Sequence, residues 1–340
     1  MSVSFLSTTG ARRGPILEEE AVSLHEQLYQ YTSQGGLDAS SARRLWQLSG
    51  QEQVPSRLWT LLRLGAMMLA AGLMGFGVML WVAANWDTFT RFERFALLQG
   101  WVVLPVLGAW FSQVPPARTD VRPALSLLAF LTLGGLLAYF GQTYQTGADA
   151  WTLFALWAAL SLPLLAAVSS DLLWAPWQIV TSLAISLWSY TYGGHDWSVG
   201  PGTLPVHAIA LGLSLLLIAA LSLHGQRSGQ WWAWRLSVLT ANTLALTLGV
   251  MSLFRSNIAP QYGLVVGLFA LALALGWWRR QVLVMSVAAL GLNVLLIGGW
   301  VHGQSLRSFE ELFLVAGLAA LLLAGSVQLI MRRTRRPEAV

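Results

Sequence analysis

The sequence predicts an all-α fold: a polytopic transmembrane helix bundle of ten spans behind a short N-terminal helical hairpin. Three observations carry that reading. The chain has 340 residues, of which 56% are hydrophobic and 10% charged, whereas a soluble domain carries about 25% charge. Ten long stretches contain no Asp, Glu or Arg. The arginines that separate those stretches alternate in abundance along the chain. Together these exclude an ordinary soluble enzyme, whose surface would aggregate with so little charge, and a disordered chain, which lacks such apolar bulk.

Crossing about 30 Å of hydrocarbon takes roughly 20 apolar residues in a helix. The qualifying stretches are 64–84, 95–111, 124–140, 151–168, 172–190, 204–223, 236–254, 262–278, 282–300 and 312–330. His207 is the one charge-capable side chain of the Asp, Glu, Arg or His type within them. Lipid supplies no water for backbone groups, so continuous Leu- and Ala-rich runs must be helices. A β-barrel would instead show alternating segments of about ten residues. Pro105 and Pro163 fall inside spans and predict kinks.

Arginine sets the expected topology, since all 20 basic residues are Arg. With the N-terminus inside, Arg12, Arg13, Arg43, Arg44, Arg57, Arg63, Arg118, Arg122, Arg227, Arg235, Arg279, Arg280, Arg332, Arg333, Arg335 and Arg336 are cytoplasmic. Arg91, Arg94, Arg255 and Arg307 are outside. The positive-inside rule therefore places both termini in the cytoplasm of a bacterial inner membrane. The same rule accounts for the net charge of +5 without a nucleic-acid partner. Tryptophans near span ends (Trp81, Trp86, Trp110, Trp174, Trp177, Trp197, Trp231, Trp277, Trp278, Trp300) read as an interfacial belt. Small residues at Gly72, Gly75, Gly77, Gly263, Gly267, Ala316, Ala320 and Ala324 suit close helix packing within the chain, with a homodimer seam as the alternative.

Four regions follow. Residues 1–14 carry no structural signal. Residues 15–61 form a cytoplasmic helical hairpin and linker. Its first helix opens at Pro15 with Glu18, Glu19 and Glu20, ends at Gly35–Gly36, and is followed by a second with Asp38 as N-cap. No apolar signal-peptide core follows the start. Residues 62–330 are the bundle, and 331–340 form a basic tail suited to anionic lipid.

Chemistry is sparse. There is no Cys, no P-loop, no GxGxxG, no HExxH and no nucleophile elbow, so no catalytic set, metal or cofactor is expected. The embedded polar groups are neutral: Gln99, Asn242, Thr243 and Asn293. Asn242 and Asn293 suit either a solute path or an interhelical hydrogen bond, the latter being the commoner use. Polar residues concentrate in the first two outer connectors, 85–94 and 141–151, with His195, Asp196, His207, His302, Glu310 and Glu311 on the same side. Asn85, Trp86, Asp87, Gln142, Tyr144, Gln145 and Asp149 are the candidate ligand-binding residues.

Two of those connectors carry a resemblance. Ala84-Asn85-Trp86-Asp87 before an Arg-bearing turn, and Phe140-Gly141-Gln142-Thr143-Tyr144-Gln145 followed by Gly147-Ala148-Asp149 and Leu153-Phe154-Ala155-Leu156-Trp157, resemble the domain-of-unknown-function 2157 family of multi-pass membrane proteins. So does the hairpin at 36–42. The similarity covers roughly residues 20–190. It implies a membrane location and a hairpin ahead of the spans, and brings no activity, substrate or catalytic residue.

The functional expectation is transport or flipping of a neutral or amphipathic solute through an outer vestibule. The alternative is a non-transporting sensor or scaffold whose hairpin docks a partner inside. Absence of embedded charge argues against proton pumps and ion-coupled transport. The topology is checked by reporter fusions: alkaline phosphatase fused after Val340 is expected to be inactive, and fused after Gly194 active.

Overall fold

The computed structural model describes Ser41 and residues 56–85, 88–112, 121–144, 147–255, 257–302 and 309–334. The chain divides into two compact units, Met1–Ala66 and Met67–Val340. The first unit is described only at Ser41 and from residue 56. Most of the expected hairpin, residues 1–14 and the tail beyond 334 lie outside the described residues.

All regular structure among the described residues is helical. The helices are α1 (Ser56–Ala84), α2 (Arg91–Phe111), α3 (Arg122–Tyr144), α4 (Ala150–Leu160), α5 (Leu162–Ala167), α6 (Asp171–Tyr192), α7 (Leu204–Ser228), α8 (Trp232–Met251), α9 (Pro260–Arg279), α10 (Val282–His302) and α11 (Phe309–Thr334). Each expected span is present, with α4 and α5 together making the fourth. Nine of the ten are long and apolar enough to cross a bilayer. The tenth, α6, is 22 residues long but less apolar, because Trp174, Trp177, Gln178, Ser182, Ser186 and Ser189 interrupt its aliphatic run. Of the two expected kinks, the chain breaks at Ser161 just before Pro163, while α2 runs through Pro105 unbroken.

The low apolar content of α6 follows from its position. It packs against α4, α7 and α8, and also touches α3, so it faces protein where other spans face lipid. Gln178 is fully buried. Its amide donates to Ser182 Oγ at 2.9 Å and to Thr240 Oγ1 of α8 at 2.8 Å. Trp177 Nε1 donates to the Ala158 carbonyl of α4 at 2.9 Å. At the arginine-rich end, the Asp171 carboxylate accepts from Trp232 N at 2.9 Å and Ala233 N at 3.5 Å. Gln230 closes the same clamp by donating to the Ser169 carbonyl at 3.1 Å and accepting from Asp171 N. A carboxylate at the first turn of α8 also complements that helix's dipole.

Close approach elsewhere depends on glycines without side chains. A Cβ at Gly134 of α3 would meet the Trp157 ring of α4 at 2.4 Å. That indole stacks on Phe130 with ring centroids 5.0 Å apart, and its Nε1 donates to the Phe130 carbonyl at 2.8 Å. Gly291 of α10 similarly admits Phe269 of α9. The small residues expected to mark contacts behave differently. Gly72, Gly77, Gly263 and Gly267 have nothing within 4 Å of a built Cβ, and Ala316, Ala320 and Ala324 are exposed. Of that set, Gly75 meets a neighbouring helix, at Leu128 and Leu131 of α3. Small residues alone do not specify an interface; a large ring aimed at the gap does.

The tryptophan belt is also divided. Trp81, Trp110, Trp197, Trp278 and Trp300 are exposed as an interfacial ring should be. Trp174, Trp177 and Trp231 instead pack against the core, and Trp174 stacks on His224 of α7 at 4.0 Å. α11 packs chiefly on α10, and none of its membrane-length window is buried.

Gly134→Ala is expected to lower stability by about 1–3 kcal/mol through overpacking against Trp157. Gly72→Ala should be neutral or stabilising by about 0.5–1 kcal/mol, because helix propensity improves with no clash. Thermal unfolding of the detergent-purified protein compares the two.

Candidate functional site

The expected outer vestibule is not one cluster among its described members. Trp86, Asp87 and Gln145 lie outside the described residues. Asn85 folds back on its own helix, its amide donating to the Trp81 carbonyl at 2.9 Å. The connector then closes into α2 through a capping box: Glu93 N donates to Thr90 Oγ1, and Thr90 N donates to Glu93 Oε2 at 2.7 Å. This reciprocal arrangement satisfies two donors that a helix start leaves open. Tyr144 joins an aromatic group, with its ring 4.7 Å from Phe140 and 5.9 Å from Phe95.

Gln142 and Asp149 do come together. Both line a cleft of 430 Å³ between the end of α3 and the start of α4, floored by Leu137, Leu153 and Leu156. Asp149 occupies the N-cap position of α4 but makes no side-chain cap. Its carboxylate faces His195 Nε2 at 3.8 Å instead. The loop bearing His195 is held from several sides. Ser198 N donates to Asp196 Oδ1 at 3.0 Å, and Arg255 Nε donates to the Val199 carbonyl at 3.0 Å. Fully buried Gln261 donates to the Gly200 carbonyl at 2.6 Å and to Thr203 Oγ1 at 3.2 Å, and lies 3.3 Å from His207 Nδ1. His207 is thus a packed structural residue rather than a ligand presented to solvent. Among the described residues no three His, Asp or Glu side chains gather as a metal set.

Asn242 and Asn293 part company. Asn293 donates to Ser326 Oγ of α11 at 3.1 Å, the interhelical bond expected of it. Asn242 lines a half-open cavity of 330 Å³ between α7, α8, α9 and α10. Its side-chain oxygen is buried with no donor. The walls are apolar, including Leu211, Ile218, Val238, Phe269 and Ala272. The mouth at the arginine-rich end carries Arg279 and Gln281. Arg279 lies over the Trp278 ring, 6.0 Å from its centroid. An apolar chamber with one mid-depth amide and a guanidinium at its rim suits a molecule with a long hydrocarbon part and a polar or anionic head.

A third opening lies on the other side of α8. Ser182 and Ser186 of α6, and Thr240, Thr243 and Thr247 of α8, line a groove of 440 Å³ with Trp197 at the end away from the arginines. Asn242 and Thr243 are embedded polar groups in the sequence, but the groove is not expected from them. The signal was present as hydroxyls three and four residues apart, the spacing of one helix face.

The residues of the first two connectors and the Trp157 lock now have a common frame. Residues 29–174 match the family model DUF2157, a predicted membrane protein. The DUF2157 region holds all seven candidate residues and the Gly134–Trp157 contact. It stops at the first turn of α6, before the Asn242 cavity. No curated protein and no solved structure matches the chain. The protein is an integral membrane protein with a multi-pass helical fold.

Hydrogen bonds from the Ser198 side chain and then its backbone hold the Asp196 carboxyl below the usual aspartate range, with Arg255 adding to the effect. A depressed folded-state pKa stabilises above the ordinary carboxylate value, and that contribution is lost as pH falls through the folded value. Amide exchange in residues 193–203 is therefore expected to accelerate on acidification below about pH 4. Asp196→Asn should exchange faster at neutral pH and lose the acid dependence.

Proposed function

We propose that this protein binds an amphipathic molecule within the membrane and carries it between the leaflets. The orientation we propose for it has the arginine-rich end in the cytoplasm and the membrane is the bacterial inner membrane. The observation that carries the reading is the cavity at Asn242. A recess of this depth, open on one side to the bilayer, gives a hydrocarbon chain a place to enter between the helices. Here an apolar chamber persists, with an unpaired amide oxygen at mid-depth and an arginine at its mouth. Hydrocarbon enters the chamber, and the head group is received at Arg279 and Gln281 before it crosses. No ionisable side chain lines it above Arg279, so coupling to an ion gradient through a titrating group inside the cavity is not part of the proposal.

The cleft of Gln142 and Asp149 is proposed as a docking rim at the opposite surface, where His195 faces the same carboxylate. Asn85, Trp86, Asp87, Tyr144 and Gln145 belong to this surface in the proposal, with Asn85 and Tyr144 shaping the connector rather than contacting the solute.

A photoactivatable fatty acid supplies the test. In membranes, cross-links are expected on α7 and α9 within residues 214–222 and 268–276. Ala241→Leu with Ala272→Leu should abolish labelling at an unchanged melting temperature, and Arg279→Gln should weaken it about tenfold, as expected for one lost charge-assisted bond. Labelling that ignores both changes would overturn the cavity reading. Gln142→Ala, assayed by transbilayer movement of the same probe in proteoliposomes, tests the rim; an unchanged rate removes it from the path.

A further inference from the structure

The groove between α6 and α8 and the cavity at Asn242 share one wall. Ala241, Asn242 and Ala245 face the cavity, while Thr240, Thr243 and Leu244 face the groove. α8 runs from the arginine-rich end to the opposite end, and a helix rises 1.5 Å per residue. The cavity therefore occupies the half of the membrane toward Arg279, and the groove occupies the other half, from Thr240 to Trp197. Two half-depth openings meet on opposite flanks of the same turn of α8.

The chemistry of the groove is one-sided. Thr243 Oγ1 donates its proton to the Leu239 carbonyl at 3.0 Å, and Thr247 Oγ1 donates to the Thr243 carbonyl at 2.9 Å. Both residues are exposed on the groove face. Their protons are committed to the helix, so each presents lone pairs outward. Behind the groove wall, fully buried Gln178 donates its amide protons to Ser182 and Thr240, so those two hydroxyl oxygens are already engaged. No Arg, Asp, Glu or His lines the groove. It is a ladder of neutral acceptors in a place where hydrocarbon offers nothing to pair with them.

We infer that the groove is a track for the head group of a phospholipid that carries a primary ammonium. Such a head group brings three N–H donors to successive hydroxyl oxygens, while its acyl chains stay in the bilayer beside Ile179 and Leu183, which are exposed there. A trimethylammonium head of the same charge and length has no N–H to give. A head whose only charge is the phosphate also has no N–H to give, so discrimination rests on the ammonium donors. The inference rests on the carrier reading above and narrows its substrate to an aminophospholipid.

The test compares ethanolamine and choline phospholipids, both labelled with the same fluorophore on an acyl chain, in vesicles reconstituted with the full-length protein. Transbilayer movement is read by dithionite quenching. The ethanolamine lipid is expected to move about tenfold faster, the effect of several weak intramembrane hydrogen bonds. Thr243→Val with Thr247→Val preserves shape and removes the acceptors, so it should abolish the difference and leave fatty-acid labelling of the cavity intact. Equal rates for the two lipids in the wild type, a preference that survives in the double variant, or no lipid movement at all would each overturn the inference. Loss of cavity labelling in the wild type would instead overturn the carrier reading, so the two failures are separable.

Discussion

Packing in this bundle depends above all on one constraint: a polar group taken into hydrocarbon costs free energy unless the protein supplies its partner. α6 shows the consequence most fully. It carries a glutamine, several serines and two packed tryptophans, and it sits where protein surrounds it. Gln178 reaches Thr240 of α8, Trp177 reaches a carbonyl of α4, and Asp171 caps α8. Those bonds fix α6 to elements on both sides of it in the sequence. Apolar bulk drives the other spans into the membrane, but it does little to select their neighbours, since lipid tails are as apolar as leucine. Neighbours are selected by these few bonds and by rings seated on glycines, as at Gly134 and Gly291.

Much of the fold was legible in the sequence because insertion is a property of single segments. Exclusion of Asp, Glu and Arg from ten stretches reports each helix by itself, and each helix is present. The break before Pro163 was legible for the same local reason. Packing was not. Trp174 and Trp177 stand near a span end just as Trp278 does, yet the first two lie against protein and the third lies open. Nothing in the local sequence distinguishes a ring aimed at lipid from one aimed at a neighbour 19 or 27 residues away. Small-residue spacing does not name the neighbour for the same reason: Gly263 and Gly267 are correctly spaced, yet no other helix among the described residues comes within 4 Å of a Cβ built on either.

The site divides along that line too. Polar connectors are visible as composition, and Gln142 and Asp149 do share a cleft. Which side chains turn inward depends on the partner each finds, so Asn85 caps its own helix and Tyr144 stacks on Phe140. The Asn242 cavity arises from four helices converging over nearly 80 residues of chain, and no window of sequence contains it. Asn293 and Asn242 have the same side chain at similar depth, and only the presence of Ser326 opposite one of them sends them to different uses.

The light attachment of α11 has a bearing on how the molecule is assembled. It rests mainly on α10, and no residue of its membrane-length stretch is fully buried; Asn293 donates to its Ser326, and its Arg333 lies over the Trp277 ring of α9. A segment held so lightly contributes little to the cohesion of the other spans. Those spans can therefore reach their final arrangement without it, leaving the docking of α11 as a separable step of assembly.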